Sequence, residues 1–238
     1  MARSIGHQPL VRHRKFARRL TANRSGVAMI EFAFAAPLVL GMGMLGTDTA
    51  SLVITHMLVS QIATQTADNV SRVGTANQVS VYQVIEADIN ETFVGAEKMG
   101  ENIGIFTGGR MIVSSLQRNA NGGQWIAWQR CRGAKVYNSS FGVQGAGATG
   151  TAFPGMGVTG RLITATPQTA VMFVEVAYDF KSLTPMNIFN NQQIVYTAAF
   201  NVRDNRDLTG GPNANGLFPG NPVAPVARCN VYSAARPT

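Results

Sequence analysis

The sequence contains few of the residues that build catalytic or metal-binding sites. Among 238 residues there are two cysteines and three histidines, and His56 is the only histidine after the first 26 residues. No P-loop, G-x-S-x-G or H-E-x-x-H pattern is present, and two thiols alone are too few ligands for a structural zinc ion. Gly145, Gly147 and Gly150 form a formal dinucleotide fingerprint, but it neither follows a strong strand nor opens a helix. The sequence therefore predicts no enzyme, no metal and no cofactor.

Acidic residues are absent from the first 26 residues, although the chain has 12 of them. This segment carries seven of the 20 basic residues, which leaves 13 basic and 12 acidic residues for the remaining chain. A nucleic-acid-binding domain carries its basic patch on a folded face, so we do not expect nucleic acid as a partner. Because basic residues beside a membrane span stay cytoplasmic, residues 1–26 are predicted to be an unstructured cytoplasmic leader. The alternative is a disordered tail that touches acidic lipid or nucleic acid.

Charge is also missing from residues 27–46, in which Glu31 is the only ionisable residue. A helix of this length matches a hydrocarbon core of roughly 30 Å, so the segment predicts a single membrane span. A secretory signal peptide is the competing interpretation. Cleavage after Ala33-Phe34-Ala35 would leave a short apolar segment that Glu31 interrupts, and Pro37 as the second residue of the product. The membrane span is therefore preferred, and residues after Gly46 are predicted to be extracytoplasmic.

The residues at the start of the span form a motif. Gly26 precedes the apolar segment, Glu31 is the fifth residue after it, Phe32 is an aromatic residue, and a basic run comes before. The pattern resembles the processing site of type IV pilin-like precursors, in particular the TadE-like family of tight-adherence pseudopilins. This resemblance implies that a prepilin peptidase cleaves between Gly26 and Val27, and that Glu31, next to Phe32, contacts the freed amino group of a neighbouring subunit. The alternative is an uncut chain in which Glu31 reaches the lipid headgroups.

The helical pattern continues beyond the span. Residues 47–73 contain neither proline nor glycine, and Gly74 is a candidate stop. Residues 27–74 are thus predicted to be one membrane-spanning and amphipathic helix, about 70 Å long. Pro37 predicts a kink in its first half. The second half carries an a/d-like stripe on one face, made of Leu52, His56, Val59, Ala63, Thr66, Val70 and Val73.

Residues 75–238 are predicted to form an extracytoplasmic α+β domain. A second helix is expected over 78–94, and strands over 110–118, 124–132, 169–180 and 194–203, of which the first two form a hairpin. Period-two alternation directs Met172, Val174, Val176, Tyr178 and Phe180 toward the core, and Val171, Phe173, Glu175, Ala177 and Asp179 outward. Trp125 and Trp128 should lie on opposite faces of their strand. Irregular segments rich in glycine or proline are expected over 138–160, 181–191 and 208–227.

Cys131 and Cys229 are the two cysteines of the chain, and both lie in the predicted extracytoplasmic domain. That compartment is oxidising, so a disulfide is expected between them. It would close a loop of about 100 residues, which the loop-entropy description values at roughly 4–5 kcal/mol. Two separate reduced cysteines are the alternative.

The sequence thus favours an α+β fold in which a long N-terminal helix packs on a small antiparallel sheet, as in pilins. The resemblance to TadE-like proteins covers residues 24–73 and, less specifically, 110–135 and 169–203. It implies a minor pseudopilin or assembly component of a tight-adherence type IV pilus or related secretion pseudopilus. The protein would lie in the bacterial inner membrane with its domain in the periplasm, and its partners would be other pilins, the assembly platform and the prepilin peptidase. The alternative is an uncleaved, membrane-anchored periplasmic scaffold or binding protein.

Overall fold

The computed structural model describes residues 25–76 and 81–237, so most of the predicted leader lies outside the described residues. Helix α1 spans Ser25–Arg72, helix α2 spans Glu86–Met99, and a 3₁₀ turn covers Glu101–Ile103. The strands are β1 (Thr75–Ala76), β2 (Tyr82–Ile85), β3 (Gly109–Arg118), β4 (Gln124–Arg132), β5 (Val171–Asp179), β6 (Gln193–Asn201) and β7 (Leu217–Phe218). A long N-terminal helix and a small antiparallel sheet confirm the predicted α+β class.

Helix α1 is continuous over 48 residues and runs through Pro37. Its C-terminal half buries one face in the core, and the predicted stripe is confirmed at Val59, Ala63, Thr66 and Val70. The buried face is one position wider than the stripe, since Ile62 and Ala67 are also buried. An α-helix has 3.6 residues per turn, so its buried face is wider than a strict seven-residue repeat of apolar positions indicates.

The second helix begins later than predicted. Residues Tyr82–Ile85 form β2, which pairs with β1 and, in parallel, with β7 near the C-terminus. The expected helix over 78–94 is therefore wrong at its start, because these β-branched and aromatic residues find strand partners far away in the sequence. The helix starts at Glu86 and continues to Met99, while residues 77–80 lie outside the described part of the chain.

The main sheet has four antiparallel strands in the order β4-β3-β5-β6. Helices α1 and α2 cover one face, where their apolar residues pack against Met111, Val113, Val174 and Val176. The predicted hairpin forms between β3 and β4, and β5 and β6 lie within two residues of their predicted bounds. The inward-facing set of β5 is confirmed as core.

Four of the five outward-facing residues of β5 are also buried, contrary to expectation, and only Asp179 at the end of the strand is partly exposed. The connection between β4 and β5, residues 133–170, lies over the second face of the sheet and covers Val171, Phe173, Glu175 and Ala177. Its scattered apolar residues supply the contact: Phe141, Phe153, Met156 and Ile163. These residues have no regular spacing, which is why periodicity did not reveal a covering layer.

Trp125 and Trp128 lie on the same face of β4, not on opposite faces. The pairing shifts between Ser115, which opposes Trp128, and Leu116, which opposes Ile126, so Ala127 is an extra residue in β4. Such a β-bulge changes the alternation by one position. Both indoles consequently contact the core under the helices.

Candidate assembly interface along the N-terminal helix

The first half of α1 projects away from the domain. From Gly26 to Thr47 no residue is buried. By length and composition α1 can cross a membrane, and it is the only such helix among residues 25–76 and 81–237. Its largest exposed side chains are apolar: Val27, Met29, Ile30, Phe32, Phe34, Leu38, Val39 and Leu40. This surface therefore fits a lipid environment or the helices of other proteins.

The predicted processing residues occupy the first turns of α1. All four are exposed: Gly26, Val27, Glu31 and Phe32. A Cβ on Gly26 would have open space around it, since nothing beyond the neighbouring helix backbone lies within 4 Å of its position. Glu31 follows Val27 by four residues, so both lie on the same side of the helix. Within the described part of the chain, the Glu31 carboxylate has neither a hydrogen bond nor an ion pair. Cleavage between Gly26 and Val27 stays a prediction.

The exposed apolar surface of α1 continues after the span. Val53, Ile54 and Met57 are 53%, 64% and 58% exposed, whereas Thr55 and Val59 on the other side of the helix are buried. A shallow groove connects this patch to the span along the small residues of the helix; it is lined by Met42, Leu45, Gly46, Thr49, Ala50, Val53 and Ile54. We call Val53, Ile54 and Met57 the apolar patch.

Asp48 joins the helix to the loop between β5 and β6, residues 180–192. Its buried carboxylate accepts hydrogen bonds from the Leu183 and Thr184 amides at 3.0 Å each, the Thr184 hydroxyl at 2.7 Å and the Ser182 hydroxyl at 2.5 Å. These donors, the Ser182 hydroxyl first, hold the pKa of Asp48 below its usual value despite the opposing effect of burial. The helix is thereby fixed to the domain immediately after the predicted span.

Arg206 fixes the C-terminal end of α1 to the domain. The buried guanidinium donates to the carbonyls of Val70, Ser71 and Val73, which have no partner inside the helix. A cation at this position also complements the partial negative charge of a helix C-terminus. Burial lowers the pKa of Arg206 to about 10, so it remains charged at neutral pH. Arg203 pairs with Asp68 at 3.4 Å on the exposed surface nearby.

The predicted disulfide between Cys131 and Cys229 is confirmed. It attaches the C-terminal tail, residues 202–237, to the edge strand β4. Arg110 on β3 adds to this attachment, because its buried guanidinium donates to the carbonyls of Cys229, Val231 and Gly133 at 2.6–3.0 Å. The Tyr232 ring lies 4.1 Å from the same guanidinium. The predicted irregular tail is thus bound to the sheet.

Two further arginines join β4 to α2. Arg130 binds Glu86 through its Nε at 2.8 and 3.0 Å, and both side chains are buried. Arg132 binds Glu97 at 2.7 Å and donates to the Ala234 carbonyl of the tail. Separation of either pair would leave a charged group without its partner, which is strongly unfavourable for a buried charge. These contacts therefore fix the position of α2 on the sheet.

Glu175 is a buried carboxylate in the middle of β5. The β4–β5 connection covers it and supplies hydrogen bonds from the Ser139 hydroxyl, the Ser140 amide and the Tyr137 hydroxyl. Burial nevertheless dominates and raises the pKa of Glu175. Asp48 and Glu175 are therefore two buried carboxylates whose pKa values shift in opposite directions.

A cleft of about 670 Å³ opens between the β4–β5 connection and the C-terminal tail. Arg110, Arg130 and the disulfide form part of its wall, together with Gln144 and Tyr232. Arg110 and Arg130 are already bound to tail carbonyls and to Glu86. Arg228, which also lines the cleft, is exposed. The cleft is thus a polar recess in which the two buried arginines have partners within the chain.

Sequence reasoning did not identify these buried charged residues. Glu175 had a visible signal, since it stands alone in the apolar strand segment VMFVEVAY. Asp48 also had such a signal, because it is the first acidic residue after the span.

Comparison of the chain with protein-family models, curated proteins and solved structures gives no match. The function is therefore inferred from the residues and geometry described above.

Proposed function

We propose that this protein is a minor pseudopilin or assembly component of a tight-adherence type IV pilus, or of a related secretion pseudopilus, of the TadE-like kind. The observation that carries the proposal is the apolar patch of α1. Met57 lies roughly 16 Å along the helix from Gly46, so lipid tails cannot cover the far end of the patch. A contiguous apolar surface outside the membrane indicates a protein contact. The occupant that fits is the equally apolar helix of another pilin-like subunit.

Glu31 supports the same lateral packing. A charged side chain at the centre of a bilayer is unfavourable by about 3 kcal/mol on insertion scales. Glu31, four residues after the start of the span, is nearer the boundary, and no partner for its carboxylate lies among the described residues. The amino group released by cleavage at Val27 of a neighbouring subunit provides an opposite charge in the same layer. Pairing offsets much of the desolvation of both groups.

The charge distribution supports the orientation. The basic first 26 residues favour a cytoplasmic N-terminus, which places the domain in the periplasm of a bacterial inner membrane. The disulfide agrees with an oxidising compartment. A domain fixed to α1 through Asp48 and Arg206 is compatible with a pilin-like arrangement, in which an extended helix carries a small sheet.

The N-terminus of the mature protein tests this proposal. We expect mass spectrometry of native membranes to find Val27 as the first residue, and to find the uncut chain in cells without prepilin peptidase. Gly26→Val should block cleavage without disturbing the helix, because Gly26 has open space around it. Gly41→Val is the matched control, since Gly41 also has open space and lies far from the predicted cleavage site. A mature chain that retains its first 26 residues in cells with the peptidase would contradict the proposal.

The polar cleft favours a second candidate, an uncleaved scaffold or binding protein anchored by α1. In that case the leader is retained and the cleft holds a periplasmic partner. Retention of the leader both in cells with prepilin peptidase and in cells without it would support this candidate over the pseudopilin.

A further inference from the structure

The loop between β5 and β6, residues 180–192, carries exposed apolar side chains that the fold leaves uncovered. Leu183, Met186 and Ile188 are 71%, 44% and 50% exposed. The chain nevertheless holds this loop in place, since Asp48 binds residues 182–184 and the Asn191 amide donates to the Phe180 carbonyl. Because the loop is fixed, these three side chains stay exposed to water unless lipid or another protein covers them.

The loop lies at the membrane-facing end of the domain. Helix α1 and strand β6 run in the same direction, because His56 contacts Tyr196 and, further along the helix, Asp68 contacts Arg203, which follows the end of β6 by two residues. The start of β6, and with it the loop, therefore lies beside the part of α1 that precedes His56. This is the end from which the predicted span emerges.

The loop also reaches the level of the span itself. Leu183 lines a groove on α1 together with Gly43 and Gly46, which lie within the last four residues of the apolar segment 27–46, and with Ile103 of the 3₁₀ turn. Asp48, which binds the loop, is two residues beyond that segment. Leu183 is thus at the depth where the hydrocarbon core meets the headgroups, and Met186 and Ile188 lie on the same loop.

We propose that the β5–β6 loop is a second membrane contact, which places Leu183, Met186 and Ile188 in the bilayer that α1 spans. The inference rests on the membrane span of the proposed function. Irregular backbone is excluded from the hydrocarbon centre but is tolerated in the hydrated boundary, so insertion extends roughly 5–10 Å into the headgroup and acyl boundary. Two attachments fix the tilt of α1 and the direction in which the domain and the apolar patch face.

Lipid is favoured over a protein partner by position. Leu183 shares its groove with Gly43 and Gly46 of the span as well as with Ile54 of the apolar patch. The loop that carries Met186 and Ile188 lies at the membrane-facing end of the domain, whereas Met57 at the far end of the apolar patch lies further along α1, away from the membrane. Lys181 at the start of the loop is exposed, and a lysine beside apolar residues is a common arrangement at anionic membrane surfaces.

Tryptophan fluorescence in vesicles tests the proposal with the full chain. The protein is reconstituted in vesicles of phosphatidylethanolamine and phosphatidylglycerol, with and without bromine on the acyl chains, which quenches nearby indoles. Ile188→Trp reports the loop and Phe34→Trp reports the span. Val158→Trp is the control: Val158 is exposed and lies on the connection that Gln124 binds through Ala165, at the opposite end of the sheet. Emission of the unsubstituted protein, which contains Trp125 and Trp128, is subtracted.

We expect brominated lipid to quench the added indole in Ile188→Trp and Phe34→Trp but not in Val158→Trp. Quenching of Phe34→Trp alone would overturn the loop contact and leave the membrane span intact. Absence of quenching in both would overturn the span and the loop contact together. A thermal unfolding transition by circular dichroism at the temperature of the unsubstituted protein shows that each variant is folded.

Discussion

Asp48 and Thr184 are 136 residues apart in the sequence, and the Asp48 carboxylate accepts hydrogen bonds from both the amide and the hydroxyl of Thr184, at 3.0 and 2.7 Å. This contact joins the long helix to the sheet at the end of the predicted span. Together with Arg206 at the C-terminal end of α1, Asp48 in the middle of the helix fixes it to the domain at two points. The direction in which the apolar patch faces is therefore determined by the domain.

Asp48→Asn should destabilise the protein in a pH-dependent manner. The lowered pKa means that the folded state prefers the ionised carboxylate, so this stabilisation is complete above the ordinary pKa of 3.8 and is lost as the pH falls through the folded-state pKa. Thermal unfolding in detergent micelles, followed by circular dichroism, should show the variant melting lower at neutral pH. The difference should shrink in acid. Asp68→Asn, at an exposed pair, is the control and should have a much smaller effect.

Glu175→Gln should show the opposite pH dependence. Burial raises the pKa of Glu175, so the unfolded state loses this proton first and the stability of the native protein falls as the pH rises from 4.5 through the folded-state pKa. The variant cannot ionise and should lack this decline, which the same melting series measures. Glu91→Gln, at an exposed position, should retain the native profile. A parallel pH profile for native protein and Glu175→Gln would contradict the assignment.

Replacement of both Cys131 and Cys229 by serine should lower the free energy of unfolding by about 4–5 kcal/mol, because the bond closes a long loop. Denaturant unfolding of the oxidised protein and the double variant measures the difference. Limited proteolysis should at the same time cut the C-terminal tail of the variant more rapidly. An unchanged unfolding midpoint would show that Arg110 and the tail contacts suffice without the bond.

Arg206→Ala should destabilise the domain by about 2–3 kcal/mol, since it leaves buried carbonyls at the end of α1 without a donor. Arg203→Ala is the matched control. Arg203 is exposed and its pair with Asp68 is worth about 0–1 kcal/mol. Equal losses in the two variants, measured by denaturant unfolding, would contradict the capping role of Arg206.

Local patterns predicted most of the regular structure. The Asn/Gly loop at 119–123 and the flanking apolar runs indicated the β3–β4 hairpin, and alternation indicated β5 and β6. Length and apolar composition indicated α1, and two cysteines in one predicted compartment indicated the disulfide.

The remaining features depend on contacts between distant parts of the chain. Tyr82 and its neighbours became a strand because β7 pairs with them, and the extra residue Ala127 brought both tryptophans to one face. The irregular β4–β5 connection covers a whole face of the sheet without any periodic signal. The charged residues that hold the helix, Asp48 and Arg206, find their partners more than 130 residues away.

Packing of α1 against another pilin-like helix through the apolar patch can be detected by photo-cross-linking. A photoreactive amino acid replaces Ile54 in the full chain in its native bacterium, and the same replacement at Val158 is the control. We predict that position 54, but not position 158, forms a covalent adduct with a second copy or with another pilin-like subunit, and that this adduct disappears without prepilin peptidase. Absence of any protein adduct at position 54 in cells that assemble pili would contradict this packing.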